Sequence, residues 1–598
     1  MPRRVKKSQA YLKQKALSLA YFIPLLIIIG IIPLIVYLNV VQLNTIQSDY
    51  WLGHDVHYDF FSYYKALWFS GITFLSLGIL LYMVFTNRYI LYKSSVYIPL
   101  GIYAVAVLIT YLASQEKSIT TLGVMDMYQG VFVLLGYVIL VFVIYNMVKT
   151  TDHIQYLLAA FIFLGAVTTL IALSQYFGFD IFRTNLGLKL ILPRDYHHLA
   201  DQLAFTFDKY AVYATMFNTN FVGSFAALMI PLAYAIYLYQ KKGYTVMLAL
   251  LFFGAMVFVG FGSNSRAGLL GSASAFILMF IVYRKIMIRR PLFSLMPFAI
   301  LLGVGLLLNI ASSGRVINEI KSLDFFEDRD KATQQVHYKT VAIEDATLTI
   351  ETSRASFEMT FTGQEMVFST LDGDPLEVTN DNHNYQFVDS KYEAITVNRD
   401  EEDTYLYTVN LYDKSIDIYT DVDGLKIKGY NGDLVVPDEA RRIRYLDGYE
   451  SMFSSRIYLW TRSAPLLTDY FFIGAGPDMF GLVFPQNDVA GRLNAIGFNT
   501  VIDKPHNMYL QTGINSGVVA LLALITAFIM YIISSIKLYG KGLNHTFIDI
   551  FGAALSISVI AYLITGMFND QIISVAPLFY AMFGLGMAVN RIKKENPN

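Results

Sequence analysis

Three side chains in this sequence are suited to polar chemistry at a membrane edge. Arg266 is the single cation between two uncharged runs, 245–261 and 267–283. A charge there costs free energy, and a membrane-edge arginine is a functional candidate by default. Its guanidinium can take a phosphate bidentately, and the start of the following helix adds positive dipole. Residues 262–265, "GSNS", form the turn before it, and Gly268 and Gly271 permit close packing in the next helix. An arginine that snorkels to the interface fits the same residues.

The second is Arg456, in "SSRIYLWTRSAPLLTDYFFIGAGPDMFG" at 454–481. Arg456, Trp460, Leu466 and Leu467 have the spacing of an amphipathic helix at a membrane surface, with Arg456 and Arg462 free to snorkel. The third is His506, in "KPHNMYLQTGINSGVVALL" at 504–522. Imidazole suits proton transfer near neutrality, although a lone histidine before a helix also serves as a cap. In "MFNTNFVGSFAALMIPLA", Asn218 and Asn220 are placed to cap a helix.

The elements that must position these groups are mostly apolar. The chain is 55% hydrophobic and 15% charged, with mean hydropathy +0.47, which excludes an ordinary soluble protein. Apolar runs of bilayer-crossing length predict twelve spans: about 17–40, 67–86, 96–114, 129–148, 154–177, 220–239, 245–262, 267–284, 292–311, 514–537, 547–567 and 572–591. The first contains Pro24 and Pro33 and lacks a small-residue cleavage site, so a retained anchor is expected.

Basic residues set the orientation. The N-terminal segment carries Arg3, Arg4, Lys6, Lys7, Lys13 and Lys15. Alternate loops then carry Arg88 and Lys93, Lys149, Lys241 and Lys242, Arg284 through Arg290, and Lys537 and Lys541, and the C-terminal segment carries Arg591, Lys593 and Lys594. Both termini are therefore expected in the cytoplasm. The outer loop 178–219 holds Arg183, Lys189, Arg194, His197, His198 and Lys209.

Residues 312–450 hold 29 Asp/Glu and 14 Lys/Arg, a net of −15, while the remainder holds 17 and 31, a net of +14. The two parts must face different surroundings. Within 312–450, runs such as "ATLTIETS", "TYLYTVNLY" and "SIDIYTDVDG" alternate with period two between Asp-Gly and Asn-Gly turns. They predict an antiparallel β domain outside the membrane, whose acidic surface fits plain solubility ahead of cation or glycan binding. The expected organisation is a membrane region at 1–311, this insertion at 312–450, an outer-face catalytic loop with an interfacial helix at 451–513, and a second membrane region at 514–598. The expected class is a polytopic α-helical membrane protein of about twelve helices, GT-C-like, with an inserted β-rich domain.

No cysteine is present, which removes disulfides, thiolate nucleophiles and cysteine metal sites. No Walker or dinucleotide-binding fingerprint occurs, no EF-hand spacing appears in "DGDPLEVTNDN", and no metal cluster is evident.

Taken in order, the motifs resemble the O-antigen ligase and Wzy-type polymerase superfamily of bacterial membrane glycosyltransferases. The resemblance rests on Asn218-x-Asn220, on Ser-Arg-Ala-Gly at 265–268, on Arg456 with Trp460 four residues on, and on Gly474-x-Gly476. It continues with His506, Asn507, Tyr509 and Leu510 ahead of Gly517, and with "SITTLGVMDMYQG" at 118–130. It covers nearly the whole chain except the β insertion, which matches nothing in that family and leaves the acceptor open. The resemblance implies transfer of a glycan from undecaprenyl diphosphate to an acceptor hydroxyl on the outer face of the bacterial cytoplasmic membrane. The acceptor would be glycan, wall or protein, and neither nucleic acid, metal nor other cofactor takes part.

In that scheme Arg266 and Arg456 bind the diphosphate, His506 is the catalytic base, and Ser265, Asn218, Asn220, Trp460, Asn507 and Tyr509 support them. Direct displacement would invert the anomeric centre. Ligase and polymerase are not separable, although an added β domain favours a ligase. Two other classes compete: a transporter or flippase of lipid-linked glycans, and a membrane-anchored wall-binding sensor. The first would show internal pseudo-symmetry, and the second leaves Arg266 and His506 without a role.

Overall fold

A computed structural model describes residues 17–50, 55–202, 210–363, 365–421, 424–429, 432–498 and 500–596. The basic residues of the first sixteen positions lie outside the described residues, as does Lys209. Helix makes up 59% of the chain, and a separate β-rich region occupies 338–435.

In chain order the first apolar helices are α1 (Ile23–Gly30), α2 (Tyr63–Phe85), α3 (Tyr97–Ala113), α4 (Val131–Met147) and α5 (Thr151–Tyr176). They are followed by α6 (Thr219–Tyr239), α7 (Gly243–Gly262), α8 (Arg266–Arg289) and α9 (Pro291–Ala311). Two short helices, α10 (Arg315–Lys321) and α11 (Phe325–Gln334), lead to the strands. After the strands come α12 (Met452–Asp469), α13 (Met508–Ser516), α14 (Val518–Tyr539), α15 (Phe547–Thr565) and α16 (Ala576–Glu595). Eight of these, α2, α5 to α9, α14 and α15, are long and apolar enough to cross a membrane. Helices satisfy their own backbone groups, which is what a hydrocarbon surrounding demands.

The expected first span is not one continuous helix. It is helical only over Leu19–Leu34, roughly 24 Å at 1.5 Å per residue, short of a bilayer core of about 30 Å. Pro33 lacks the N–H that would continue the helix. The chain then turns into a hairpin of β1 (Asn39–Gln42) and β2 (Val56–Asp59). Another break divides α13 from α14 at Gly517, whose φ of +96° is open to glycine.

α6 is the most buried of the eight long apolar helices. Its apolar window is buried along its whole length, whereas only 22% of that of α9 is buried. α6 packs on α7, α8 and α15. It meets α8 at backbone contact distance: a Cβ on Gly268 would lie 2.5 Å from the Cα of Gly223. A Cβ on Gly271 would lie 2.3 Å from Thr565 on α15. Small residues permit this approach.

The β-rich region is antiparallel throughout, as expected. β3 (Tyr338–Glu344), β4 (Thr347–Thr352), β5 (Ser356–Phe361) and β6 (Met366–Ser369) pair consecutively. Seven further strands, from β7 (Val378–Asp381) to β13 (Leu434–Val435), form a second meander. Alternating burial along β4 follows the pleat. The two sheets share a core that includes Ile350, Phe357, Val397, Val409 and Ile418. Val489, Leu493 and Phe498, from the segment after α12, enter the same core. Asn494 fixes the join: its Oδ1 accepts from the Tyr338 N–H and its Nδ2 donates to the Tyr338 carbonyl, both at 2.8 Å.

Candidate active site

Arg266 is the first residue of α8. Ser265 is the cap, its Oγ accepting the Gly268 N–H at 3.0 Å. The same hydroxyl donates to Asn220 Oδ1 at 3.1 Å. Asn218 caps α6 through the Asn220 N–H at 2.8 Å. Asn220 is no cap, contrary to expectation: it lies inside α6, where its side chain ties the two helix starts together. That tie and the Gly223–Gly268 contact fix where the Arg266 side chain begins.

Arg456 lies on α12, whose entry is unusual. Phe453, Ser454 and Ser455 have φ of 54°, 55° and 63°, in the left-handed region that non-glycine residues seldom enter. Asp328 of α11 accepts the Phe453 N–H at 2.6 Å, which holds that entry. Arg456 Nε donates to the Phe568 carbonyl at 3.0 Å and Nη1 to the Phe453 carbonyl at 3.1 Å. Among the described residues no carboxylate pairs with it within 4 Å. Burial lowers its pKa, with Asp570 opposing and the like charge of Arg266 adding to the effect.

Arg462, expected to snorkel, does not. It is buried at 3% exposure and paired with Asp488 at 2.9 Å and Glu450 at 3.5 Å. Its role is to anchor α12 to the segment that docks the β region.

His506 sits at φ 48°, between Pro505 and α13. The Trp460 indole donates to the Pro505 carbonyl at 3.2 Å. Asn507 caps α13, accepting from Tyr509 and Leu510, and its Nδ2 donates to the Met567 carbonyl at 3.0 Å. The Tyr509 hydroxyl donates to the Leu563 carbonyl at 2.8 Å. These bonds lash the histidine strap to the end of α15.

The turn that it reaches supplies a residue the sequence reading missed. Asp570 Oδ2 lies 2.8 Å from His506 Nδ1, and its side chain is fully buried. Its neighbours are pinned: Asn569 Nδ2 donates to the Asn220 carbonyl and to Ser224 Oγ, and the Gln571 N–H donates to Gln511. Burial alone would raise the Asp570 carboxyl. The charge and hydrogen bond of His506, with Lys504 and Arg456, outweigh burial and hold it below the usual carboxylate range. An ionised carboxylate only accepts, so Nδ1 carries the proton and Nε2 is left as the basic atom.

Arg266, Arg456 and His506 all line one cavity of about 550 Å3, together with Asn220, Asn264, Ser454, Phe453 and Phe568. Glu319 of α10 is the single carboxylate among the described residues of its lining. It lies 3.4 Å from Arg266 Nε, and Arg266 Nη1 donates to Ser454 Oγ at 3.2 Å. Asn218, Ser265, Trp460, Asn507 and Tyr509 are not among its lining residues; their hydrogen bonds fix the segments that carry those residues. His197 and His198 are not part of it. His197 bonds within its own loop, at 3.2 Å from the Leu192 carbonyl, and that loop packs on the β1–β2 hairpin region.

An apolar groove of about 510 Å3 adjoins the cavity, walled by α7, α8, α9 and α10. Leu270 and Leu323 line both. The stretch 118–130 joins the assembly through Asp478, whose Oδ2 accepts from the Val124 and Gln129 N–H groups at 3.0 and 2.7 Å.

Asp570 and Glu319 carry no motif: one is an acid in a short interhelical turn, the other an acid in a short helix. Only the folded chain pairs them with His506 and Arg266. No protein-family model, no curated protein and no solved structure matches this chain.

Proposed function

We propose that this chain transfers a glycan from undecaprenyl diphosphate to an acceptor hydroxyl at the outer face of the bacterial cytoplasmic membrane, as a surface-polysaccharide ligase or polymerase. The observation that carries the reading is the convergence of Arg266, Arg456 and His506, distant in sequence, on one cavity. Among the described residues of the lining, two guanidiniums and an imidazole face a single carboxylate, so the lining favours an anion. The adjoining apolar groove suits a prenyl chain whose headgroup enters the cavity.

In the reaction the acceptor oxygen attacks the anomeric carbon as the bond to the diphosphate oxygen breaks. Negative charge grows on the leaving diphosphate, and Arg266 and Arg456 stabilise it. His506 Nε2 takes the hydroxyl proton while Asp570 holds the ring and its developing charge. The products are the glycosylated acceptor, with inverted anomeric configuration, and undecaprenyl diphosphate. The scheme sets twelve spans, with both termini in the cytoplasm and the cavity outside. The β region, docked on the segment after α12, would present an acceptor, which favours ligase over polymerase.

The test uses purified full-length protein in detergent with a lipid-linked donor and an acceptor glycan, following released undecaprenyl diphosphate. Arg266→Ala and Arg456→Ala should abolish release, and the lysine variants should restore only part of it because the bidentate fork is lost. Full activity in folded Arg266→Ala protein overturns the reading. Donor that crosses a vesicle membrane uncleaved supports a transporter instead.

A further inference from the structure

Glu319, the single carboxylate among the described residues of the cavity lining, has no part in the transfer scheme and opposes it. A carboxylate in an anion site repels the ligand and occupies the cation meant for it. Its surroundings suggest exchange rather than a permanent pair. The contact to Arg266 is one N–O approach of 3.4 Å, not a two-pronged bridge. Arg266 is 40% exposed and Glu319 25%, so water and ions can compete for both.

The helix that carries Glu319 is light. α10 has seven residues and follows a turn at Ser313 and Gly314, with φ of 55° and 93°, and the Ile317 N–H donates back to Asn309 Oδ1 at 3.0 Å. Ile317 and Ile320 remain about half exposed, at 46% and 50%. The same helix walls the apolar groove through Val316, Ile317 and Ile320. A ligand that fills groove and cavity must therefore meet the apolar residues of α10 and Glu319 at once.

We propose that Glu319 is an internal counter-ion that holds Arg266 while the cavity is empty and yields it to an incoming diphosphate. This rests on the donor reading above and adds a residue that sets how strongly the headgroup is held. Bound diphosphate replaces the carboxylate on the guanidinium, and the half-buried Glu319 side chain turns away from it. The exchange lowers donor affinity, and it lets product leave because the carboxylate returns to the arginine.

Calorimetric titration of the full chain in detergent with inorganic pyrophosphate tests this. Glu319→Gln should bind pyrophosphate about 1.5- to five-fold more tightly than wild type, the range expected when a partly exposed ion pair no longer competes. Glu319→Asp keeps the charge on a shorter arm and should tighten binding less. In an Arg266→Gln background the Glu319→Gln gain should vanish. A purely structural role for Glu319 predicts weaker binding and a lower Tm in Glu319→Gln, and that result overturns the proposal. So does binding that Arg266→Gln weakens but Glu319→Gln leaves unchanged, and in that case the donor reading stands. Binding indifferent to changes at both Arg266 and Arg456 removes the donor reading and the counter-ion together.

Discussion

At the scale of single residues, the proposed transfer needs Asp570 to hold His506 as its base. A free imidazole rotates and exchanges tautomers; here Nδ1 is held 2.8 Å from a buried carboxylate. Loss of a general base costs about 10²–10⁴-fold in rate, so His506→Ala should fall by that much while still binding donor. Asp570→Asn keeps the shape but can fix the wrong tautomer, and it should lose a comparable factor. The two act as one unit, so the double variant should be no slower than His506→Ala alone. Turnover of the three proteins at saturating donor decides this, and additive losses would show that Asp570 works elsewhere. The sequence exposed one half of this pair. His506 announces itself beside Pro505 and a capping Asn507. Asp570 is one acid among many, and sixty-four positions separate the partners. Such a pairing arises only when α13 and α15 pack, so no local pattern carries it.

At the scale of elements, the position of Arg266 depends on how closely α6 and α8 cross. Gly268→Ala would place a methyl carbon 2.5 Å from the Gly223 Cα. Such overpacking typically costs about 1–3 kcal/mol. Gly303→Ala on α9 meets nothing within 4 Å and should be tolerated. Thermal unfolding in detergent should separate the two, and transfer activity should fall only in Gly268→Ala. Asp478, which ties stretch 118–130 to the glycine-rich turn, gives a pH test. Burial raises its carboxyl from 3.8 to about 7. Through that interval the folded chain keeps a proton that the unfolded chain has released. Its stabilising contribution is therefore fully present below pH 3.8, is lost as pH rises, and is gone above about 7. Asp478→Asn should flatten that part of the Tm profile, and an unchanged slope would assign it to another group. Long apolar helices and alternating strands were legible because each follows a single period. The stop in the first span, the left-handed entry to α12 and the burial of Arg462 were not. They follow from Pro33, from the Asp328 contact and from a salt bridge across the fold, none of which alters periodicity.

At the scale of the molecule, the acidic insertion and the basic remainder must be explained together. A net −15 over 312–450 and +14 elsewhere suits a chain whose basic loops stay beside the cytoplasmic leaflet while its strands stand in water. The structure adds a mechanical link. The β region shares its core with Val489, Leu493 and Phe498, and Arg462 ties that segment to α12 through Asp488. α12 also carries Arg456, so a short run of buried contacts joins the β region to the cavity. This arrangement works for outward transfer only if the β region and the cavity face the same compartment. The native chain has no cysteine, so single cysteines report sidedness cleanly. Val388→Cys, at an exposed site on the β region, should react with an impermeant maleimide in intact cells. Lys242→Cys, in the basic loop between α6 and α7, should react only after the membrane is opened. Labelling in the opposite sense would place the cavity in the cytoplasm, where a lipid-linked donor awaiting export is not yet a substrate for surface transfer, and the glycosyltransferase reading would fall with it.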